Sequence, residues 1–175
     1  MKRILVSTAL VLASLIPVTS PSNAITFGKE ITDASNSYPS VISIWIKKSA
    51  EEPAKFICTG TLIQDRIVLT AAHCVLDKSY LYYVKYGNDL LDAGSPLLEV
   101  ASTWRDPRYS ERQHVNDVGL LLLSNSISGA RTTALPRAAK IKKILAKKGV
   151  KLEVVGWGKD QNSDRATYIK RAFVD

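Results

Sequence analysis

The chain has 175 residues, of which 46% are hydrophobic and 23% charged, values that are ordinary for a globular protein and exclude a low-complexity chain. Twenty-four lysines and arginines stand against sixteen acidic residues, so the formal net charge is +8. Such a surplus favours contact with anionic polymers or surfaces but identifies no partner. The length allows one modest domain or two small ones.

The first 24 residues have the layout of a secretory signal peptide. Lys2 and Arg3 form a short positive start, and residues 4–16 are mostly apolar. Residues 22–24 (Ser-Asn-Ala) provide the small side chains that a signal peptidase requires before its cleavage site. The apolar run is too short for a stable membrane anchor, and a buried N-terminal helix is the alternative. Cleavage after Ala24 removes two positive charges and leaves 151 residues with a net charge of +6. We expect a secreted, extracellular protein with no membrane contact after cleavage.

Two cysteines, Cys58 and Cys74, lie in the part of the chain that we expect to be exported. Export favours a disulfide, and two cysteines leave a single pairing. Closing a loop of this size stabilises a fold by about 3 kcal/mol in the chain-entropy model. Two isolated thiols do not reach the ligand count of a zinc site, so no metal is expected there.

Six short runs rich in β-branched and aromatic residues follow the leader, separated by polar or glycine-containing turns. They cover residues 41–46, 56–63, 67–70, 80–86, 97–104 and 118–123. No long helical pattern lies between them, so the spacing predicts an antiparallel sandwich or barrel.

The composition changes at residues 126–150, which are rich in Ser, Ala, Arg and Lys and are interpreted as an inter-domain connector. A dense group of lysines near its end has Ile141, Ile144 and Leu145 interleaved at helix-like spacing. A membrane-surface or nucleic-acid patch is one interpretation of this group. We favour a solvated connector anchored by a few apolar side chains, and the absence of aromatic residues for base stacking disfavours nucleic acid.

Residues 151–175 hold two further predicted strands, at 151–157 and 168–174, joined by a polar loop. Two strands do not form a stable barrel alone, so this part is predicted to open a domain whose remainder is absent. The unpaired strand edges and apolar surface of a half-built domain predict poor solubility.

Two motifs carry residues suited to acid–base chemistry. In residues 70–74 (Thr-Ala-Ala-His-Cys), small neighbours and a disulfide would hold the imidazole of His73 rigidly, as a general base requires. In residues 116–121 (Asn-Asp-Val-Gly-Leu-Leu), Asp117 begins an apolar strand, where a carboxylate can accept the Nδ1–H of an imidazole. Taken singly, such a histidine is more often structural, and an Asn-Asp pair more often only forms a turn.

Together these segments resemble the chymotrypsin/trypsin family of serine proteases (peptidase S1) over nearly the whole chain after residue 24. The histidine motif precedes the aspartate motif, as in the family. The matching blocks are residues 25–28 (with Phe27 where a glycine is usual), 38–45, 58–74, 104–109, 116–121 and 155–158 (Val-Gly-Trp-Gly).

The resemblance implies an all-β fold of two antiparallel barrels. Residues 25–125 would form a complete first barrel, residues 126–150 the connector, and residues 151–175 the truncated start of the second barrel. It also implies hydrolysis of protein or peptide substrates through an acyl-enzyme, without a cofactor. His73 would take a proton from a serine hydroxyl and return it to the leaving amine, while Asp117 orients His73.

The family's nucleophile lies in a Gly-Asp-Ser-Gly-Gly motif, which does not occur in these 175 residues. Ser163, flanked by Asn and Asp, lacks the required glycines and is not expected to be the nucleophile. The oxyanion hole and the specificity pocket belong to the same missing segment, so the chain alone is expected to be inactive.

Three interpretations of the chain are considered. One is the N-terminal portion of a secreted serine endopeptidase, and another is a non-catalytic homologue that uses the first barrel as an extracellular binding module. The third is a generic secreted β-barrel protein whose matching segments are coincidental, which the joint pattern of motifs disfavours. In the family, a new N-terminus that begins with Ile inserts into the second barrel. Signal cleavage would itself expose Ile25, so no separate activation cleavage is expected.

Overall fold

The structure is a computed structural model that describes residues 28–32, 37–158 and 169–174. The predicted leader, the predicted mature N-terminus Ile25 and the serine at position 163 all lie outside these residues. Within the described ranges, no helix is long and apolar enough to cross a membrane.

The described residues form nine strands and one α-helix. In chain order they are β1 (Lys29–Glu30), β2 (Val41–Lys47), β3 (Lys55–Gln64), β4 (Ile67–Thr70), β5 (Leu81–Lys85), β6 (Leu98–Arg105), β7 (Gly119–Leu123), α1 (Ala138–Leu145), β8 (Leu152–Gly156) and β9 (Lys170–Val174). Strands β2 to β7 close into an antiparallel barrel in the order β2-β3-β4-β7-β6-β5. They coincide with the six predicted runs, so the prediction of a barrel is confirmed.

The core of the barrel follows the two-residue period of its strands. Ile42 and Ile44 on β2 are fully buried, as are Leu121 and Leu123 on β7, whereas Leu122 between them is exposed. In β7 this alternation places one face inside the barrel and the other toward solvent, whereas Trp45 of β2 and Phe56 of β3 point outward into a second buried cluster with Trp157. The β-branched and leucine-rich sequence thus specifies both the strands and their register.

A second, three-stranded sheet has the order β1-β9-β8, with Lys29 opposite Arg171 and Glu30 opposite Lys170. The sequence had assigned residues 25–125 to the first barrel, yet β1 pairs with the C-terminal strand instead. A two-residue strand carries no periodic signal of its own, so its distant partner could not be inferred. Among the described residues the second sheet therefore has three strands, whereas the sequence predicts two for this part of the fold.

The second sheet is joined to the barrel through the Gly-Trp pair at the end of β8. Trp157 is buried, its ring lies edge-on to Phe56 with centroids 6.2 Å apart, and its indole N–H donates to the Asn88 carbonyl at 3.0 Å. A Cβ atom on Gly156 would lie 2.6 Å from Thr59 Oγ1. Only glycine permits this close approach of β8 to β3.

Helix α1 lies within the segment that the sequence interprets as a connector. None of its residues is buried, and Ile141 and Leu145 are 41% and 65% exposed. The expectation that apolar side chains anchor this connector is therefore wrong for these two residues. In the described part of the chain their face of the helix is left without cover.

Candidate active site

His73 lies in a 3₁₀ turn, Ala72–Cys74, directly after β4 at one end of the barrel. Ala72 is fully buried and so allows the turn to pack closely against the barrel. Cys74 is bonded to Cys58 on β3, which confirms the predicted disulfide. The turn is thus fixed to a neighbouring strand, while the His73 side chain remains 55% exposed.

Asp117 occupies the centre of a tight turn immediately before β7. Asn116 has a φ of +55°, a left-handed conformation that asparagine tolerates better than most residues. The Val118 N–H donates to the Asn116 carbonyl at 2.9 Å, and the Asn116 side-chain amide donates to the Arg108 carbonyl at 3.1 Å. The Asn-Asp pair therefore does form a turn, and that turn directs the Asp117 carboxylate toward His73.

The structure brings the two predicted site residues together. His73 Nδ1 lies 2.7 Å from Asp117 Oδ2, and the His73 backbone N–H donates to Asp117 Oδ1 at 2.9 Å. An ionised carboxylate only accepts hydrogen bonds, so Nδ1 carries the proton in this pair. The neutral imidazole is then fixed in the tautomer whose Nε2 lone pair is free to accept a proton.

The ionisation of Asp117 reflects opposing influences. Burial is the largest and acts to raise the pKa of Asp117, but the hydrogen bonds and charge of His73 together outweigh it, so this pKa lies below its ordinary value. The carboxylate therefore stays ionised at neutral pH. The pKa of nearby Tyr109 is raised, first by burial and then by the charge of Asp117, so its phenol stays protonated.

Gly119 lets the two halves of the site approach each other. It pairs with Thr70, the last residue of β4, shortly before the turn that holds His73. A Cβ atom at this position would lie 2.8 Å from the Ala71 carbonyl oxygen and 2.8 Å from Val75 Cγ2. Real Cβ atoms essentially never approach other atoms so closely, so the spacing between the two motifs depends on this glycine.

A carboxylate that the sequence did not single out supports the aspartate turn. Asp106 is buried, and its N–H donates to the Val118 carbonyl at 2.9 Å. Arg108 donates from Nε to Oδ1 at 3.0 Å, from a terminal nitrogen to Oδ2 at 2.8 Å and from its backbone N–H to Oδ1 at 2.9 Å. The Asp-Pro-Arg sequence at residues 106–108 could have indicated this role, because an aspartate side chain often accepts a hydrogen bond from the backbone N–H two residues further on.

These bonds predict an acid-sensitive contribution to stability. The side-chain and backbone hydrogen bonds of Arg108 lower the pKa of Asp106 to about 2. A carboxyl group whose pKa is lowered in the folded state stabilises the fold fully at pH values above its ordinary pKa near 4. This stabilisation is lost as the pH falls through about 2. We expect the urea midpoint of the wild-type chain to fall more steeply between about pH 4 and pH 2 than that of Asp106→Asn.

An exposed aspartate provides the control for this experiment. Asp65→Asn removes the same charge from the turn between β3 and β4, where the side chain is exposed. This variant should keep the wild-type slope. If Asp106→Asn were as acid-sensitive as the wild type, the Asp106–Arg108 pair would not be a source of the pH dependence.

His73 also lies beside the disulfide. One ligand-type atom from each of Cys58, His73 and Cys74 falls within a 4.8 Å cluster. Both sulfur atoms are joined to each other, however, and a metal site requires free thiolates. In this oxidised form the cluster serves to hold the histidine turn.

Comparison with known proteins places this geometry in a family. The family model described as Trypsin matches residues 25–173, which include both motifs and all but the last residue of the second sheet. The chain belongs to the trypsin family. Human kallikrein-7 is 33% identical over 108 residues, covering 61% of this chain and 40% of the relative. Bovine anionic trypsin is 31% identical over 140 residues, which cover 75% of this chain and 49% of that relative.

A solved structure described as "Structure of GrC" supports the fold of this trypsin-family chain. It aligns with a TM-score of 0.68 and 26% identity, covering 85% of this chain and 64% of that one. The all-β, chymotrypsin-like architecture, with one closed barrel and a second sheet, is thereby confirmed. The chain spans about half the length of the curated relatives that it matches, between 40% and 49%.

Proposed function

We propose that His73 and Asp117 are the general base and the orienting carboxylate of a serine endopeptidase that cleaves protein or peptide substrates through an acyl-enzyme. The observation that carries this proposal is the 2.7 Å contact between His73 Nδ1 and Asp117 Oδ2, in a chain of the trypsin family. Both residues are held by backbone turns, which keeps the base in a fixed position.

In this mechanism Nε2 of His73 accepts the proton of a serine hydroxyl as the hydroxyl oxygen attacks the scissile carbonyl. The resulting imidazolium is stabilised by the ionised Asp117, and it then returns the proton to the leaving amine. Water hydrolyses the acyl-enzyme by the same proton transfers. The lowered pKa of Asp117 supports this role, because the carboxylate must stay ionised throughout.

The 175-residue chain alone is expected to be catalytically inactive, because it contains no Gly-Asp-Ser-Gly-Gly segment to supply the nucleophile and the oxyanion hole. A serine-directed phosphonate probe should leave it unlabelled, as judged by intact-mass spectrometry beside an active trypsin. Stoichiometric labelling would contradict this expectation. Ser163→Ala would then show whether the serine at that position is the one modified.

A second candidate is a non-catalytic homologue whose first barrel binds an extracellular partner. The paired His73 and Asp117 favour the endopeptidase, because a binding module has no need of them. The nucleotide sequence after codon 175 distinguishes the two. A Gly-Asp-Ser-Gly-Gly stretch in any frame supports the endopeptidase, and a stop followed by unrelated sequence supports the binding module.

Secretion is part of the proposal. It is supported by the charge pattern and small residues of the first 24 positions and by the disulfide, since such bonds persist in oxidising compartments. N-terminal sequencing of protein recovered from the culture medium should begin at Ile25. A start at any other residue would rule out the proposal that signal cleavage itself generates the family's Ile terminus.

A further inference from the structure

The positive charge of this protein is concentrated in one segment. Residues 131–151 contain eight lysines and arginines and no acidic residue, and the rest of the chain has sixteen of each kind. The whole net charge of +8 therefore resides in this segment, which we call the basic segment. None of its charged side chains forms an ion pair with another described residue.

Helix α1 lies inside the basic segment and has two chemically distinct faces. Ile141 and Leu145 are four residues apart and Ile144 is three residues from the first, so their side chains share one face. Lys140 and Lys142, the two neighbours of Ile141, flank this face on its two sides, and Lys143 lies on the opposite side of the helix. Ile141 and Leu145 are 41% and 65% exposed, and Leu135, just before the helix, is 60% exposed.

The role of a solvated connector does not explain an exposed apolar face on this helix. Large exposed side chains at i and i+4 on a short helix gain nothing from water, and here they are next to lysines that lack ion-pair partners among the described residues. A surface that combines anionic groups with an apolar layer satisfies both features at once. A sulfated polysaccharide or nucleic acid would engage only the lysines.

We propose that the basic segment docks on the surface of bilayers that contain anionic phospholipids, with the Ile141–Leu145 face of α1 in the interface and the lysines that flank this face among the headgroups. This replaces the expectation, made from the sequence, that the mature protein has no membrane contact. The eight-residue helix would lie in the plane of the surface. The proposal is independent of catalysis, so its test needs no peptidase activity.

The test uses protein recovered from the culture medium and co-sedimentation with phosphatidylcholine vesicles that contain ~30% phosphatidylserine. The wild type should bind these vesicles and should not bind vesicles of phosphatidylcholine alone. Lys140→Gln/Lys142→Gln/Lys147→Gln should reduce partitioning roughly 100-fold, because each lysine near an anionic surface contributes about fivefold. A matched triple variant, Lys48→Gln/Lys55→Gln/Lys78→Gln, removes three exposed lysines from the barrel and should reduce it much less.

The apolar face is tested by Ile141→Ser/Leu145→Ser, which keeps every charge. Insertion of this face predicts a loss of partitioning of about tenfold. Both side chains are exposed, so far-UV circular dichroism and the thermal midpoint should match the wild type. Undiminished binding by this variant, together with displacement by heparin, would overturn the proposal in favour of a polyanion. Failure of the wild type to bind phosphatidylserine vesicles would overturn it outright.

Discussion

Replacing Gly119 by alanine is expected to lower the free energy of unfolding by about 1–3 kcal/mol, the usual cost of overpacking a close contact. The new Cβ would lie 2.8 Å from the Ala71 carbonyl oxygen and 2.8 Å from Val75 Cγ2, and a backbone carbonyl moves only with its whole turn. The shift would separate the start of β7 from the histidine turn. The hydrogen bond between Asp117 and His73 should therefore weaken together with the fold.

Two measurements check this expectation. Urea unfolding reports the loss of stability, and the downfield proton NMR signal of a hydrogen-bonded imidazole Nδ1–H reports the contact with Asp117. Gly94→Ala is a matched control in an exposed loop, where the nearest atom to the new Cβ would be a side-chain oxygen of Asp92 at 3.2 Å. It should change stability by less than about 0.5 kcal/mol and preserve the NMR signal. Equal behaviour of the two variants would show that the close approach at Gly119 is unimportant.

The barrel could be predicted because its strands carry their own signal. Alternating apolar residues in β2 and clustered leucines in β7 mark which side chains face inward, and turn residues mark the ends. The histidine and aspartate motifs were recognisable for a different reason. Each motif alone is more typical of a structural role, and His73 and Asp117 could be proposed only because the cysteine spacing, the order of the two motifs and the Val-Gly-Trp-Gly block accompany them in a resemblance to one family.

The remaining features depend on contacts between residues far apart in the chain. Lys29–Glu30 became part of the second sheet only through its pairing with β9, about 140 positions away, which no local pattern encodes. Gly119 was visible in the aspartate motif, but its importance comes from the Ala71 carbonyl opposite it. Exposure of the apolar face of α1 likewise depends on what packs beside the helix. Periodicity predicted the helix-like spacing but not the absence of cover among the described residues.

Removing the disulfide is expected to destabilise the fold without straining the folded site, in contrast to Gly119→Ala. Cys58 and Cys74 are 16 positions apart, and opening a loop of that length should cost about 3 kcal/mol in the chain-entropy model. We expect the double variant Cys58→Ala/Cys74→Ala to lower the urea midpoint by the corresponding amount. Wild-type protein in a reducing agent should show a loss of similar size, whereas the same agent should leave the double variant unchanged.

The two perturbations should differ at His73 because they act on different states. The disulfide stabilises mainly by restricting the unfolded chain, whereas alanine at position 119 strains the folded site itself. In the cysteine variant the histidine turn is still held by two backbone hydrogen bonds: the N–H of position 74 donates to the Ala71 carbonyl, and the His73 N–H donates to Asp117 Oδ1. Its folded fraction should therefore retain the downfield Nδ1–H signal that Gly119→Ala loses. Loss of that signal in folded cysteine variant would mean that the disulfide, rather than the packing of β7 against the turn, positions the imidazole.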